Sequence, residues 1–152
     1  MNMMMGEKGS CHCGAVSYDI LEGTQPLRHA MCHCTDCRRI SGAPAVCWLL
    51  IPRHAVVVKG NISTYSSSSG TARSFCGECG TGLFYENAEI FPDQIDIQSA
   101  TLDNPDAFSL REQVQTAERL GYIHHLDRIP AYDRYPEANR GYNDPETDSK
   151  PS

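Results

Sequence analysis

The sequence predicts a small, mainly β domain with few short helical turns. Three observations lead to this prediction: short runs of β-forming residues are broken by turn residues, helical periodicity is scarce, and seven of the eight cysteines stand in close clusters. Clusters of this kind organise small domains when they bind a metal ion. At 152 residues the chain is long enough for one domain with its own buried core.

The predicted strands follow the β-rich runs of the chain in order. Residues 46–51 are continuously apolar and stop at Pro52, which is typical of a buried strand. Residues 56–59 end at a Gly-Asn turn signal, which predicts a hairpin with residues 63–65. The complete set of predicted strands is 15–20, 46–51, 56–59, 63–65, 83–85 and 95–100.

Helix is expected in two short places. Residues 35–40 can form one or two turns that end at Gly42, because glycine readily adopts the left-handed conformation of a helix C-terminus. Residues 104–108 predict a single turn with a proline near its start. Residues 110–120 show some helical spacing but are too polar for a helix to be predicted there.

Composition and charge bound the domain organisation and the class of partner. We expect a flexible N-terminus at 1–8, a single domain at 9–138 and a mobile polar tail at 139–152. The net charge of −6 argues against a nucleic-acid partner, and no apolar run reaches the roughly 20 residues that span a membrane. The first residues lack the apolar core of a signal peptide, so a cytoplasmic location is expected.

The cysteines are spaced for metal binding. They form the clusters Cys11-x-Cys13, Cys32-x-Cys34-x-x-Cys37 and Cys76-x-x-Cys79. Pairs at this spacing are poorly placed to form a disulfide within themselves but well placed to present two thiolates to one ion. A reducing cytosol also keeps such residues as thiols. We therefore interpret the clusters as zinc ligands rather than as a disulfide framework.

Two pairings of the clusters satisfy a four-coordinate zinc site. Cys76 and Cys79 can join Cys11 and Cys13, which leaves the central cluster as a set of three. They can instead join Cys34 and Cys37. We favour the first pairing because it builds each site from intact local clusters, although spacing alone leaves both open.

The first pairing has a functional consequence. Three protein ligands at Cys32, Cys34 and Cys37 leave a fourth position for water or substrate, which is the arrangement of a catalytic zinc. Three thiolates make the ion a weak Lewis acid that suits a soft incoming ligand such as a thiol. A thiol bound there would be held as its nucleophilic thiolate. The spacing therefore predicts thiol chemistry.

The cysteine motifs resemble a known family. Residues 9–18, 32–42 and 75–82, with sequences GSCHCGAVSY, CHCTDCRRISG and FCGECGTG, are similar to the glutathione-dependent formaldehyde-activating enzymes. The resemblance, which extends from about residue 9 to about residue 135, implies a β-rich, tent-like fold built around two zinc ions. It implies a structural site at Cys11, Cys13, Cys76 and Cys79, and a catalytic site at Cys32, Cys34 and Cys37. It also implies carbon–sulfur bond formation between glutathione and formaldehyde.

Other residues have narrower expectations. Cys47 lies in an apolar run and is expected to be a buried structural thiol. His33 stands between cysteines that already supply enough ligands, so it is expected to support the site or to be exposed. Arg38 and Arg39 follow Cys37 directly, and guanidinium groups bind carboxylates such as the two of glutathione. Both arginines are therefore candidate substrate residues.

Two functions of different class remain open from the sequence. The first is a zinc-dependent carbon–sulfur lyase, similar to S-(hydroxymethyl)glutathione synthase, which acts on a glutathione or other thiol adduct of formaldehyde or a related aldehyde. The second is a zinc-stabilised binding or scaffolding module without turnover. The central cysteine cluster distinguishes them, because only the enzyme needs an open coordination position there.

Overall fold

A computed structural model describes residues 4–134 of the chain, which divides into the compact units Met1–Leu120 and Gly121–Ser152. The described part of the first unit, residues 4–120, contains ten strands and one α-helix. The strands are β1 (Met5–Ser10), β2 (Ser17–Leu21), β3 (Arg28–Cys32), β4 (Val46–Pro52), β5 (Val56–Lys59), β6 (Ile62–Ser68), β7 (Thr71–Cys76), β8 (Gly82–Asn87), β9 (Gln94–Gln98) and β10 (Glu112–Val114). The α-helix, α1, is Thr35–Ser41.

The ten strands form two open sheets. The smaller sheet has the strand order β1-β2-β5, and the larger has the order β10-β3-β4-β9-β8-β7-β6. Neighbouring strands are antiparallel except for β10, which runs parallel to β3. Single 3₁₀ turns follow β4, β9 and β10, and another stands at Pro105–Ala107. The prediction of a mainly β fold with few helical turns is confirmed.

Both sheets contribute to one apolar core. Tyr18 and Ile20 of β2 belong to the same buried cluster as Leu49 and Ile51 of β4 and Ile97 of β9. Because side chains alternate along a strand, the residues between these positions on β4 and β9 face the opposite side of the larger sheet. That second face carries Trp48 of a smaller buried cluster, and it is the face on which the functional site is built.

Most predicted elements are present, with small shifts at their ends. Strands occur at all six predicted places, and the predicted helix at 35–40 is α1, which ends at Gly42 with φ +67°. The turn predicted at 104–108 is the 3₁₀ turn Pro105–Ala107. Strands β1, β3 and β7 were not predicted, because their charged, polar and cysteine residues obscure any alternation.

One local prediction was wrong. β5 and β6 do not form a hairpin: β5 pairs with β2 of the smaller sheet, and β6 pairs with β7 of the larger one. The chain changes sheet at Gly60, where φ is +98° and the backbone passes close to Ala15. Residues 110–120, for which no element was predicted, form β10 and the 3₁₀ turn Thr116–Glu118, because parallel pairing with β3 satisfies the backbone of β10.

The ends of the predicted domain differ in how far the structure describes them. Residues 5–8 of the predicted flexible N-terminus lie in β1. In the second unit, residues 121–134 contain 3₁₀ turns over Gly121–Arg128, interrupted at His125. The predicted mobile tail at 139–152 lies outside the described residues. Within residues 4–134 we find no helix with the length and apolarity that crossing a membrane requires.

Candidate metal centres and their cavity

The first candidate centre is a cluster of four cysteines that joins two distant turns. Cys11 and Cys13 lie in the turn between β1 and β2, and Cys76 and Cys79 lie at the turn between β7 and β8. Their four Sγ atoms lie within 4.8 Å of one another. The Cys11–Cys13 and Cys13–Cys76 Sγ distances are 3.6 and 3.8 Å. A tetrahedral zinc–thiolate site has sulfur–sulfur edges of about 3.8 Å, so this donor set fits zinc.

Hydrogen bonds of the backbone hold this four-cysteine cluster in shape. The Val16 N–H donates to Cys11 Sγ at 3.2 Å, and the Gly80 N–H donates to the Cys76 carbonyl at 2.8 Å. Gly80 has φ +78°, a conformation that favours glycine. The Thr81 hydroxyl, 3.1 Å from Cys79 Sγ, lowers the pKa of that thiol to about 5. The Thr81 contact therefore favours the thiolate form of Cys79, whereas the pKa of Cys13 in the same cluster is raised to about 12.

The second candidate centre is a cluster of three cysteines at the start of α1. Cys32 is the last residue of β3, Cys34 is the N-cap of α1, and Cys37 lies in its first turn. Their Sγ atoms also lie within 4.8 Å of one another, and no further Cys, His, Asp or Glu within residues 4–134 belongs to this group. Three soft sulfur donors fit zinc with one position left for another ligand.

Donors in the surrounding structure orient the sulfurs of the three-cysteine cluster. The Cys37 N–H donates to Cys34 Sγ at 3.3 Å, and the Trp48 indole N–H donates to Cys37 Sγ at 3.3 Å. A hydrogen bond between Cys32 and Cys37 lowers the pKa of Cys32 and raises that of Cys37, because the two thiols share a proton. Metal binding would release this proton.

His33 is fully buried although it stands between two of the clustered cysteines. Its Nε2 lies 2.9 Å from Gln113 Oε1 of β10. This contact ties the connection between β3 and α1 to the parallel strand pair. His33 therefore supports the position of the cluster rather than belonging to it.

The three-cysteine cluster lies in the wall of a cavity of about 510 Å³. A cavity of this size accommodates a small peptide-like or drug-sized molecule. Its wall combines apolar, aromatic and charged side chains: Arg28, Ala30, Cys32, Cys34, Asp36, Cys37, Trp48, Leu50, Arg73, Tyr85, Phe91, Asp96, Val114 and Gln115. The four-cysteine cluster does not line this cavity.

One row of side chains crosses the larger sheet beneath the cavity. The strand register places Asp96 of β9 directly opposite Tyr85 of β8, and Tyr85 opposite Arg73 of β7. On the other side Asp96 lies opposite Leu50 of β4, which lies opposite Arg28 of β3. Directly opposed residues share one face of a sheet, so this row brings two guanidinium groups and one carboxylate to the cavity.

The charges of this row are in different environments. Arg28 forms two hydrogen bonds to the carboxylate of Glu112, at 2.5 and 3.0 Å, and is therefore already paired. Burial raises the pKa of Asp96 to about 7, although the Arg28 charge opposes this shift. Within the described residues the Asp96 carboxylate has no hydrogen-bond or ion-pair partner. Asp96 is therefore a partly buried acid whose charge becomes favourable when a cation binds beside it.

Comparison with known proteins identifies the family. A family model described as glutathione-dependent formaldehyde-activating enzyme matches residues 6–118. The chain belongs to this family. The matched segment includes both cysteine clusters and the cavity, and it confirms the resemblance found in the sequence.

Two individual proteins are similar to this member of the glutathione-dependent formaldehyde-activating enzyme family. A protein of Schizosaccharomyces pombe that bears the name uncharacterized lyase is 31% identical over 78 residues, which are 51% of this chain and 56% of that protein. The match therefore spans little more than half of that relative. A crystal structure of a Rhodobacter sphaeroides protein covers 70% of this chain and 98% of its own, with a TM-score of 0.54 and 23% identity, and it shares the fold.

The structure brings together the cysteines that the favoured pairing joined, and it places the other candidates of this family member as follows. Neither Arg38 nor Arg39 lines the main cavity: Arg38 donates to Thr35 within α1 at 3.1 Å, and Arg39 lines a neighbouring cavity of about 350 Å³. Their role in substrate binding stays a prediction. Cys47 is only half-buried and belongs to neither cluster.

Sequence reasoning missed the charged residues of the row. Arg73 and Asp96 lie in different strands and carry no motif, so only the sheet register brings them to one cavity. One signal was available: Asp96 stands between Ile95 and Ile97 in a predicted strand. An acidic residue flanked by core positions points to the opposite face of its sheet. The sequence does not show what lies on that face.

Proposed function

We propose that this chain is a zinc-dependent carbon–sulfur lyase that acts on the adduct of a small thiol, most concretely glutathione, with formaldehyde or a related aldehyde. Membership of the glutathione-dependent formaldehyde-activating enzyme family and the lyase name of the yeast relative support a lyase reaction. The observation that carries the proposal is the contrast in ligand number. The centre with three sulfurs lies in the wall of the cavity, whereas the centre with four sulfurs does not.

The reaction balances without any further reactant. In the synthetic direction the sulfur of the thiol forms a bond to the aldehyde carbon, and the π electrons of the carbonyl move to its oxygen. The thiol loses one proton and the oxygen gains one, so the numbers of protons balance. Zinc held by Cys32, Cys34 and Cys37 would supply the chemistry of a thiolate-stabilising ion. The reverse direction breaks the same carbon–sulfur bond.

The residues around the centre support this chemistry through position. Trp48 donates its indole N–H to Cys37 Sγ, which withdraws charge from that sulfur and leaves the site more receptive to another thiolate. Ala30, Leu50 and Val114 give the cavity apolar walls beside the cysteines, where a small aldehyde can approach without competing polar contacts. The row of side chains that crosses the larger sheet lines the same cavity, and its charged groups would bind the rest of the thiol molecule.

Turnover can be measured by exchange spectroscopy on labelled formaldehyde with glutathione. We expect the zinc-loaded protein to accelerate exchange above the uncatalysed rate. We expect Cys34→Ser to lower that acceleration by about 100-fold or more, because it removes one of three ligands from the open centre. Cys47→Ser is the matched control, since Cys47 belongs to neither cluster. Exchange at the uncatalysed rate, with zinc bound at both centres, would favour a binding or scaffolding module.

A further inference from the structure

We propose that Arg73 and Asp96 form a specificity-determining pair that binds the amino-carboxylate end of the thiol substrate. Arg73 would bind its carboxylate, and Asp96 would bind its ammonium group. The inference rests on the proposed function for the reaction and its thiol, and it adds the residues that would recognise a zwitterionic α-amino acid group remote from the sulfur.

Arg73 carries a charge that the described residues do not neutralise. Its Nε donates to the Ser67 hydroxyl at 3.2 Å, and its guanidinium lies 5.0 Å from the centre of the Tyr85 ring. Its Nη1 is buried and has no hydrogen-bond partner, and no carboxylate within residues 4–134 forms an ion pair with it. A buried donor without a partner is costly, whereas a guanidinium group binds a carboxylate by two parallel hydrogen bonds. Nη1 itself is enclosed by protein atoms, so a ligand carboxylate would pair with the part of the Arg73 guanidinium that lines the cavity.

Asp96 complements Arg73 at a suitable separation. The two residues are separated in the sheet by Tyr85 alone, so their Cα atoms lie two strands, or roughly 10 Å, apart. They line the same cavity but form no ion pair with each other. The gap is suited to a group that carries both charges. An ammonium ligand would also restore the ionised form of Asp96, which burial disfavours.

The pair is separated from the three-cysteine cluster by a path of aromatic contacts. Cys37 Sγ accepts from the Trp48 indole at 3.3 Å, the Trp48 and Tyr85 rings are 6.0 Å apart, and Tyr85 lies beneath the Arg73 guanidinium. A thiol held at the cysteines and an amino acid group held by Arg73 must therefore belong to a long molecule. In cysteine the two groups are neighbours. In glutathione the γ-glutamyl group is separated from the sulfur by an extended chain, which fits this path.

The pair can be tested by equilibrium binding of S-methylglutathione, whose blocked sulfur makes the measurement independent of thiol ligation and turnover. We expect Arg73→Gln and Asp96→Asn each to weaken binding by about 10- to 100-fold by calorimetry. Arg73→Lys keeps the charge but loses the paired geometry, and we expect an intermediate loss. Matched controls are Arg53→Gln and Asp106→Asn, which alter exposed charges outside the cavity.

Ligands that lack one charge assign each residue to its partner. N-acetylation of S-methylglutathione should weaken binding to the parent protein but not to Asp96→Asn. Amidation of the γ-glutamyl α-carboxylate should weaken binding to the parent protein but not to Arg73→Gln. Losses that simply add in every combination, or unchanged binding by folded Arg73→Lys and Asp96→Asn, would overturn the pair.

The same measurements separate the pair from the proposed function. Formaldehyde exchange that is accelerated by the parent protein, and equally by both variants at subsaturating glutathione, overturns the pair alone. The expected binding pattern without any acceleration of exchange overturns the lyase reaction and supports the pair as a thiol-peptide binding site.

Discussion

The two cysteine clusters use the same donor atoms in different surroundings. Cys11 and Cys76 of the four-cysteine cluster belong to the main apolar core. This cluster joins two cysteine pairs that are at least 63 positions apart in the chain. The three-cysteine cluster comes from one short segment, residues 32–37, and opens on a cavity lined with charged side chains. The two clusters therefore differ both in their number of cysteines and in whether they line the cavity. This difference supports our proposal that the first cluster stabilises the fold and that the second serves chemistry.

The largest expected difference between the clusters is in stability. Cys76→Ser removes a fully buried ligand that connects two distant turns, and we expect it to lower the free energy of unfolding by about 5 kcal/mol or more. Cys34→Ser should cost about 1–2 kcal/mol, because its cluster closes only a short loop. Urea denaturation of both variants, followed by circular dichroism, measures this. Equal losses would mean that the clusters do not divide stability and chemistry between them.

A backbone substitution beside the four-cysteine cluster should have a smaller effect. Gly60 has φ +98°, and an added Cβ would lie 2.1 Å from the carbonyl oxygen of Ala15, just after Cys13. We expect Gly60→Ala to destabilise the protein by about 3 kcal/mol and to speed zinc loss from this cluster. Gly121→Ala, which meets nothing within 4 Å, is the control for thermal denaturation. Faster zinc loss from the three-cysteine cluster alone would contradict the expectation that Gly60 supports the four-cysteine cluster.

Asp96, in the cavity beside the three-cysteine cluster, should make the free energy of unfolding depend on pH. The pKa of Asp96 is about 7 in the folded chain against 3.8 ordinarily, so the folded state binds more protons between these values. Stability therefore falls as pH rises from 4 to 7. We expect Asp96→Asn to match the parent at pH 4 or below and to exceed it by about 1–3 kcal/mol at pH 8.

Denaturant titrations across this pH range check the sign, with Asp106→Asn as a control whose stability difference should stay constant. A variant that loses stability at pH 8 would show that the Asp96 carboxylate has a favourable partner in the free protein. The expected gain, combined with weaker ligand binding, would instead mark Asp96 as a group that costs stability for the sake of function.

The smallest expected effect concerns the indole donor at the three-cysteine cluster. Trp48→Phe removes the N–H that Cys37 Sγ accepts at 3.3 Å while it keeps an aromatic ring. We expect zinc affinity at this cluster to fall by about 10-fold, because hydrogen bonds to a ligand sulfur stabilise its thiolate. Competition with a chelator should show this change only for zinc bound to the three-cysteine cluster. A matching change for zinc bound to the four-cysteine cluster would mean that the two clusters are coupled.

Much of the site could be predicted because cysteine clusters are local. The motif at residues 32–37 contains all three ligands of one centre, and the two other pairs are each complete within a few residues. The hairpin predicted after 56–59 was wrong because a turn signal does not specify which sheet receives the next strand. Strand β10 could not be predicted because its pairing with the distant strand β3, and not any local periodicity, makes it a strand.

The sequence by itself determined the donor atoms, the mainly β character and the family, because these depend on residue type, spacing and alternation over short distances. Only the tertiary structure decided which cysteine pairs meet, and it alone aligned Arg73, Tyr85 and Asp96 across β7, β8 and β9. Strand order and register are set by packing of the whole core, and a shift of one residue would turn this row to the opposite face. The charges that face the cavity beside the three-cysteine cluster are therefore a property of the assembled sheet.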